Sequence, residues 1–363
     1  MKQCSDIRRA LNQKCATLGI PSNGIFELTP RCNLRCKMCY VRLDPEQMAP
    51  MGQERTAQQW LDMGRQVRDA GTVFLLLTGG EPTLRTDFCE IFEGLEELGF
   101  SIAINTNGSN LTPEIRELWH RLPPLQVNIT LYGTCREDYA ALCGNPNAFD
   151  AVVDALDWLQ NEGILVHLNT TIVPTNRHKF MDVEQFAKNR GLELRLTTYC
   201  FPPSRRDLGC FERLSPEQAA ELIVEDTYFR EGPVAIRSKA RDLDITPLQR
   251  TCDLDLGDPM QCLAGRSQYW ITWNGNMTPC AMLTRPVTFP FEQGFAAAWE
   301  ELKQACQPIR LCPDCVQCPE RRSCMNCAAV TFSETGRFDG KPEFMCQLNQ
   351  AYRKKLLEKA EKL

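Results

Sequence analysis

An α/β fold built on a parallel sheet, followed by a smaller cysteine-rich unit, is predicted by three observations. Between residues 24 and 200, short apolar runs alternate with stretches of helical apolar spacing, six times in succession. One run, Thr72 to Leu77, is almost continuously apolar, as suits a parallel strand covered on both faces. The cysteines are also unevenly placed: of 20 in the chain, eight lie between Cys280 and Cys346.

The elements follow in order. Ser5 to Thr17 reads as a short amphipathic helix with Ile7 and Leu11 on one face, inside an N-terminal extension of residues 1–23. Gly24 to Thr29 is the first strand. Thr56 to Ala70 is a helix with Trp60, Leu61 and Val67 on one side, and Thr72 to Leu77 is the second strand. Asp87 to Leu98 is a helix, and Phe100 to Asn105 the third strand. Thr112 caps a helix running to Arg121, with Pro113 at its first position. Leu125 to Leu131 is the fourth strand, Phe149 to Glu162 a helix, Ile164 to Val173 the fifth strand, Lys179 to Arg190 a helix and Leu192 to Tyr199 the sixth strand. Six such units imply right-handed crossovers. Residues 201–250 read as a linker with a helical bridge, started by Ser215-Pro216-Glu217. Residues 251–346 are the cysteine-rich unit, with a strand at Tyr269 to Trp273 and a hairpin turn at Asn274-Gly275. Residues 347–363 form a charged terminal helix, expected on the surface.

Composition narrows the function. With 43% hydrophobic residues the chain has material for a sizeable core. The net charge of −5 comes with no basic block, which argues against a nucleic-acid partner. No signal peptide and no membrane-spanning run is visible, so a cytoplasmic protein is expected. In that compartment, 20 cysteines beside three histidines point to metal or redox chemistry rather than disulfides.

The chemistry centres on Cys32-Asn33-Leu34-Arg35-Cys36-Lys37-Met38-Cys39, a Cys-x3-Cys-x2-Cys loop directly after the first strand. Three thiolates fall one short of a closed tetrahedral zinc site. They can hold three corners of a cubane iron–sulfur cluster and leave one iron open. Half of a zinc knuckle, or three inert buried thiols, are the competing readings. In a βα repeat the strand C-termini share one face. There the second strand ends in Thr78-Gly79-Gly80-Glu81-Pro82, which reads as a ligand-binding segment or a plain strand-to-helix turn. The third ends in Asn105-Thr106-Asn107-Gly108 and the fourth runs through Thr130. The fifth ends in polar Thr170 to Asn176, with no role assigned. The sixth leads to Cys200 at the rim, a hydrogen-atom donor or simply a small buried hydrophobe. Arg205 and Arg206 can hold a carboxylate or stay solvated.

The loop resembles the signature of the radical S-adenosylmethionine (radical SAM) superfamily, Cys-x3-Cys-x-φ-Cys, with Met38 at φ. That resemblance implies a partial, open (β/α)6 TIM-like barrel. It implies that Cys32, Cys36 and Cys39 hold a 4Fe-4S cluster whose open iron chelates S-adenosylmethionine. Gly79, Gly80 and Glu81 would then meet the methionine amino group, Asn105 would join the cofactor site, and Thr130 would contact the ribose. Reductive cleavage would give a 5′-deoxyadenosyl radical that abstracts hydrogen from an unactivated carbon.

The second unit resembles the SPASM domain. Gly275 and Cys280 match its Gly-x4-Cys segment, and Cys315, Cys318 and Cys324 match the next block. Cys327 comes one residue early, and Cys312 is extra. The resemblance implies two closed auxiliary 4Fe-4S clusters, one on Cys252, Cys262, Cys280 and Cys327 and one on Cys315, Cys318, Cys324 and Cys346. That makes three clusters in all. Cys135, Cys143, Cys306 and Cys312 keep no assigned role. From the residues alone, paired zinc ribbons fit as well, and a non-enzymatic zinc-binding interaction protein is the competing class.

Relatives of this type imply an oxidoreductase that matures a ribosomally made precursor peptide, by a carbon–carbon or thioether cross-link or by epimerisation. An external electron donor of the flavodoxin or ferredoxin kind is implied too. Carbohydrate and sulfatase substrates are the alternatives. Ala281 after Cys280 argues against sulfatase maturation, where aspartate follows the cysteine. Only 23 residues precede Gly24, so a separate leader-recognition protein is expected, or direct peptide binding.

Overall fold

The computed structural model describes residues 2–202, 212–243, 260, 262–321 and 323–363. Arg205, Arg206 and Cys252 lie outside the described residues. The repeat has the expected order: α1 (Lys2–Leu18), β1 (Asn23–Glu27), α2 (Ala57–Asp69), β2 (Phe74–Thr78), α3 (Phe88–Glu97), β3 (Ser101–Thr106), α4 (Pro113–Arg121) and β4 (Gln126–Thr130). Then come α5 (Arg136–Cys143), α6 (Ala148–Asn161), β5 (Val166–Thr171), α7 (Phe180–Asn189) and β6 (Glu193–Thr197). Local chemistry sets the helix starts. Thr56 accepts the Gln59 amide while the Gln59 side chain accepts the Thr56 amide, and Thr112 accepts the Ile115 amide ahead of Pro113.

The six strands are all parallel, in the order β6-β5-β4-β3-β2-β1. Helices bury Trp60, Phe88, Phe92 and Trp119 against the sheet, each at 1% exposure or less. The Phe92 and Trp119 rings lie 6.2 Å apart at a tilt, within the range of favourable aromatic pairs.

Three features depart from the sequence reading. The short helix α5 falls where no element is predicted. Its buried residues Tyr139, Leu142 and Cys143 have helical spacing, but eight residues are too few for the pattern to stand out. The bridge is one long helical stretch, α8 (Pro216–Asp242), capped by Ser215 as expected and kinked at Gly232-Pro233. The terminal helix α11 (Glu343–Glu361) begins before residue 347, takes in Cys346 and packs along α8, where Leu356 is fully buried against Val224, Ile236 and Ala240.

The cysteine-rich unit also joins the barrel sheet. Its hairpin, β7 (Gln268–Ile271) and β8 (Met277–Thr278), pairs antiparallel as expected, but β7 pairs in parallel with β1 and extends the sheet to eight strands. Gly24 makes this fit possible. A Cβ there would sit 2.3 Å from the Tyr269 hydroxyl, which instead hydrogen-bonds Thr72 at 3.0 Å. Helices α9 (Phe295–Cys306) and α10 (Ala328–Thr335) complete the unit.

Candidate active site

The three-cysteine loop leaves the C-terminal end of β1 and is anchored from beneath. Arg85, 7% exposed, donates to the Leu28 and Arg55 carbonyls and pairs bidentately with Asp87. Glu54 pairs with Arg31 at 2.8 Å and accepts the Thr29 hydroxyl. The loop's other side rests on the end of α5. Arg35 and Lys37 donate their amides to the carbonyls of Cys143 and Leu142, at 2.9 and 3.2 Å.

Within the loop, donors point at sulfur. The Leu34 amide reaches Cys32 Sγ at 3.4 Å, the Arg42 amide reaches Cys39 Sγ at 3.3 Å, and Asn107 Nδ2 reaches Cys32 Sγ at 3.6 Å. The Tyr132 hydroxyl hydrogen-bonds Cys36. Such contacts stabilise thiolate sulfur once a metal displaces the proton. Without metal, burial pushes the Cys32 thiol up to about 12. Cys36 is raised by the hydrogen bond it shares with Cys143 and then by burial.

A cavity of about 360 Å³ opens against this loop at the strand C-termini. It brings together most of the sequence-predicted residues: Cys36, Met38, Cys39, Gly79, Gly80, Asn105, Thr130 and Cys200 all line it. Cys32 and Glu81 do not. Glu81 is completely buried, and its carboxylate accepts from the Thr83 amide and hydroxyl, the Thr106 hydroxyl and the Asn107 amide, at 3.2, 2.7, 2.7 and 2.6 Å. Burial raises its pKa while these donors oppose the shift. In this arrangement the Glu81 carboxylate is directed at donors of the protein itself. It braces the ends of β2 and β3. The two glycines are likewise explained by backbone approach: a Cβ on Gly79 would lie 2.3 Å from the Thr29 carbonyl oxygen, and one on Gly80 2.4 Å from that of Arg31.

Sequence reasoning passed over Tyr132, Asn169, Thr171, Thr197, Tyr199 and Met282, which also line it. Strand alternation held a signal for some, since Asn169 with Thr171 and Thr130 with Tyr132 are spaced by two and share a face. Met282 comes from the second unit and carried none. Tyr199 ties the rim to that unit by donating to Glu334 on α10 at 2.5 Å, and Glu334 also pairs with Arg213.

In the second unit the thiols gather as two groups. Cys262, Cys280 and Cys327 lie within electrostatic reach of one another, while Cys315 reaches Cys312, Cys324 and Cys346, and Cys318 reaches Cys324 and Cys346. Burial pushes Cys315 up to about 12. All the described cysteines are free thiols. Among the described residues, no three His, Cys, Asp or Glu side chains are drawn tightly enough to hold a single metal ion. The donor set fits the cluster chemistry: three thiols on a loop beside a polar-lined cavity, and further thiols in groups of three or more. No helix among the described residues is long and apolar enough to cross a membrane.

Comparison with known proteins agrees with this arrangement. Residues 26–187 match the Radical SAM superfamily. An AdoMet-dependent heme synthase from Methanosarcina barkeri is 26% identical over 333 residues, covering 86% of this chain and 93% of the relative. SuiB of Streptococcus suis, solved bound to the precursor peptide SuiA, superposes with a TM-score of 0.67 at 17% identity, over 95% of this chain and 80% of that one. Native anSMEcpe, solved with bound AdoMet and the Cp18Cys peptide, superposes with a TM-score of 0.67 at 15% identity, over 94% of this chain and all of that one. Residues 26–187 of the chain therefore form a Radical SAM domain, and the cysteine-rich C-terminal region fits the SPASM type.

Proposed function

We propose that this radical SAM enzyme removes hydrogen from an unactivated carbon of a ribosomally made precursor peptide, leaving a cross-link or an epimerised centre. The lining of the cavity carries the reading. Its polar side chains are amides, hydroxyls and thiols, set among thioethers, Val41 and Phe201, and none of the described lining residues is Lys, Arg or His. Such a wall suits neutral amide groups, which a peptide backbone offers at every residue. The complexes of SuiB and anSMEcpe with peptides support a peptide substrate.

Cys32, Cys36 and Cys39 would hold the cluster, with S-adenosylmethionine along Met38, Gly79, Gly80, Asn105 and Thr130. When bound, these groups supply the radical that takes a hydrogen atom from the substrate. The protein's own residues do the rest. Tyr132 and the loop amides hold the sulfurs, and the cavity wall orients the target carbon. Burial pushes the Cys200 thiol up to about 11, so its proton stays on sulfur at neutral pH. It can then give a hydrogen atom to a substrate carbon radical. One electron and one proton, from the external one-electron donor and solvent, restore the thiol.

The heme synthase relatives favour a second reading, chemistry on a heme precursor. Heme precursors carry carboxylates, for which the described cavity wall offers no cation. The two readings separate in one experiment. The reconstituted enzyme is given S-adenosylmethionine and reductant in D2O, with either the peptide encoded beside its gene or iron-porphyrin heme precursors. Conversion of the peptide is expected, and conversion of the porphyrin alone would overturn the proposal. Cys200→Ala should abolish deuterium incorporation in an epimerised product while leaving a cross-link essentially intact.

A further inference from the structure

Cys306 belongs to none of the patterns above. It closes α9, where the helix end meets the turn that carries Cys262. Its side chain is 6% exposed. One side faces the core with Trp299 and Leu302. The other is enclosed by the turn itself. A Cβ on Gly265 would lie 2.5 Å from the Cys306 sulfur, and Gly265 has φ +66, so a side chain there is excluded by both space and backbone. The backbone after Cys262 thus wraps directly onto the Cys306 sulfur. Cys306 lies within electrostatic reach of Cys262 and Cys280, and Cys262, Cys280 and Cys327 lie within reach of one another. Cys262, Cys280 and Cys306 thus come near one another, and Cys327 comes near Cys262 and Cys280, from four different segments: the turn before β7, the turn after β8, the end of α9 and the start of α10.

We propose that Cys306 is a ligand of the first auxiliary iron–sulfur centre and completes a four-thiolate set with Cys262, Cys280 and Cys327. The proposal rests on reading this unit as an iron–sulfur domain. It makes Cys252 dispensable for that centre. Four thiolates close the coordination of a cubane, so this centre has no position left for substrate.

The test is iron content, read in a background with Cys32, Cys36 and Cys39 all changed to alanine. After anaerobic reconstitution, this background should hold about eight irons per chain, two four-iron clusters. Adding Cys306→Ala should lower the count below eight or, where the three remaining thiolates still hold a cubane, open one iron and change the EPR signal of the reduced cluster, whereas adding Cys252→Ala instead should leave about eight irons and the signal unchanged. Cys306→Ser keeps an oxygen ligand in place and should retain iron with a changed EPR signal on reduction. Retention of all the iron in Cys306→Ala with loss in Cys252→Ala would overturn the proposal, as would an unchanged signal in Cys306→Ser. A background protein that takes up no iron overturns the iron–sulfur reading itself, and the proposal with it.

Discussion

The two thiol-rich regions are built in opposite ways. The three cysteines of the barrel lie within eight consecutive residues at the end of one strand, and Cys36 and Cys39 line the cavity. The described thiols of the second region come from segments between residues 262 and 346, and none of them lines that cavity. A single loop can present three ligands and leave a direction open to solvent and substrate. Ligands converging from separate elements surround what they hold. The proposed function makes the first arrangement a reaction site and the second an enclosed centre that would crosslink the fold and carry charge. Met282 and the Tyr199–Glu334 hydrogen bond are where the enclosed region meets the open one.

The strongest way to break this division is to remove the thiols of the open site. Changing Cys32, Cys36 and Cys39 together to alanine should abolish formation of 5′-deoxyadenosine, measured by chromatography after reduction. Iron bound in the second region should persist. Residual cleavage of S-adenosylmethionine at the wild-type rate would place the reaction elsewhere.

The next largest effect concerns what holds the open site in shape. Glu81→Ala strands four buried donors from Thr83, Thr106 and Asn107, and should cost about 4 kcal/mol in denaturant unfolding. Glu81→Gln keeps an acceptor and should cost less. The pH dependence has a definite sign. Burial raises the Glu81 pKa, so the folded state binds its proton more tightly than the unfolded state does. Its contribution to stability is therefore full below the ordinary carboxylate range and declines as pH rises towards the raised value. Glu81→Gln should remove that decline, seen as a flatter unfolding midpoint between acid and neutral pH.

Glu81 also shows where sequence reading stops. The Gly79-Gly80-Glu81 segment was legible as a special site at a strand end, but the inward course of its carboxylate was not. What turns it inward are donors on Thr106 and Asn107, a strand away. The barrel repeat was legible because each strand and helix writes its own period, and the cysteine loop because its ligands are contiguous. Helix α5 was not, since eight residues hold too few repeats. The pairing of β7 with β1 was not, because register between distant strands leaves no local mark beyond a glycine at residue 24. Cys306 lay outside every spacing pattern for the same reason: only the folded turn at Gly265 brings it to Cys262.

Reactivity of the metal-free thiols tests whether both regions bury their ligands alike. Cys32 and Cys315 are pushed up to about 12 by burial, one from each region. At pH 8 their thiolate fraction is small, partly offset by the higher nucleophilicity of a more basic thiolate. Alkylation should run about 30-fold or more slower than at an ordinary exposed thiol, and should accelerate as pH rises. Peptide mass mapping after a timed pulse measures this. Fast labelling of Cys315 with slow labelling of Cys32 would show that the second region opens without metal while the first does not.

The finest distinction is electronic. Tyr132, half-buried in the cavity wall, gives its hydroxyl to Cys36 of the open site. A hydrogen bond to a ligand sulfur stabilises the extra negative charge of a reduced cluster. Tyr132→Phe removes one such bond while keeping the ring, so the potential of the first cluster should fall. A net hydrogen bond of about 1 kcal/mol corresponds to roughly 40 mV for one electron. Redox titration followed by EPR should show that shift in the first cluster with the auxiliary signals unmoved. Tyr132 faces sulfur at only one of the two regions, so a shift shared by all the clusters would mean that the open and enclosed regions are coupled more closely than their separate construction implies.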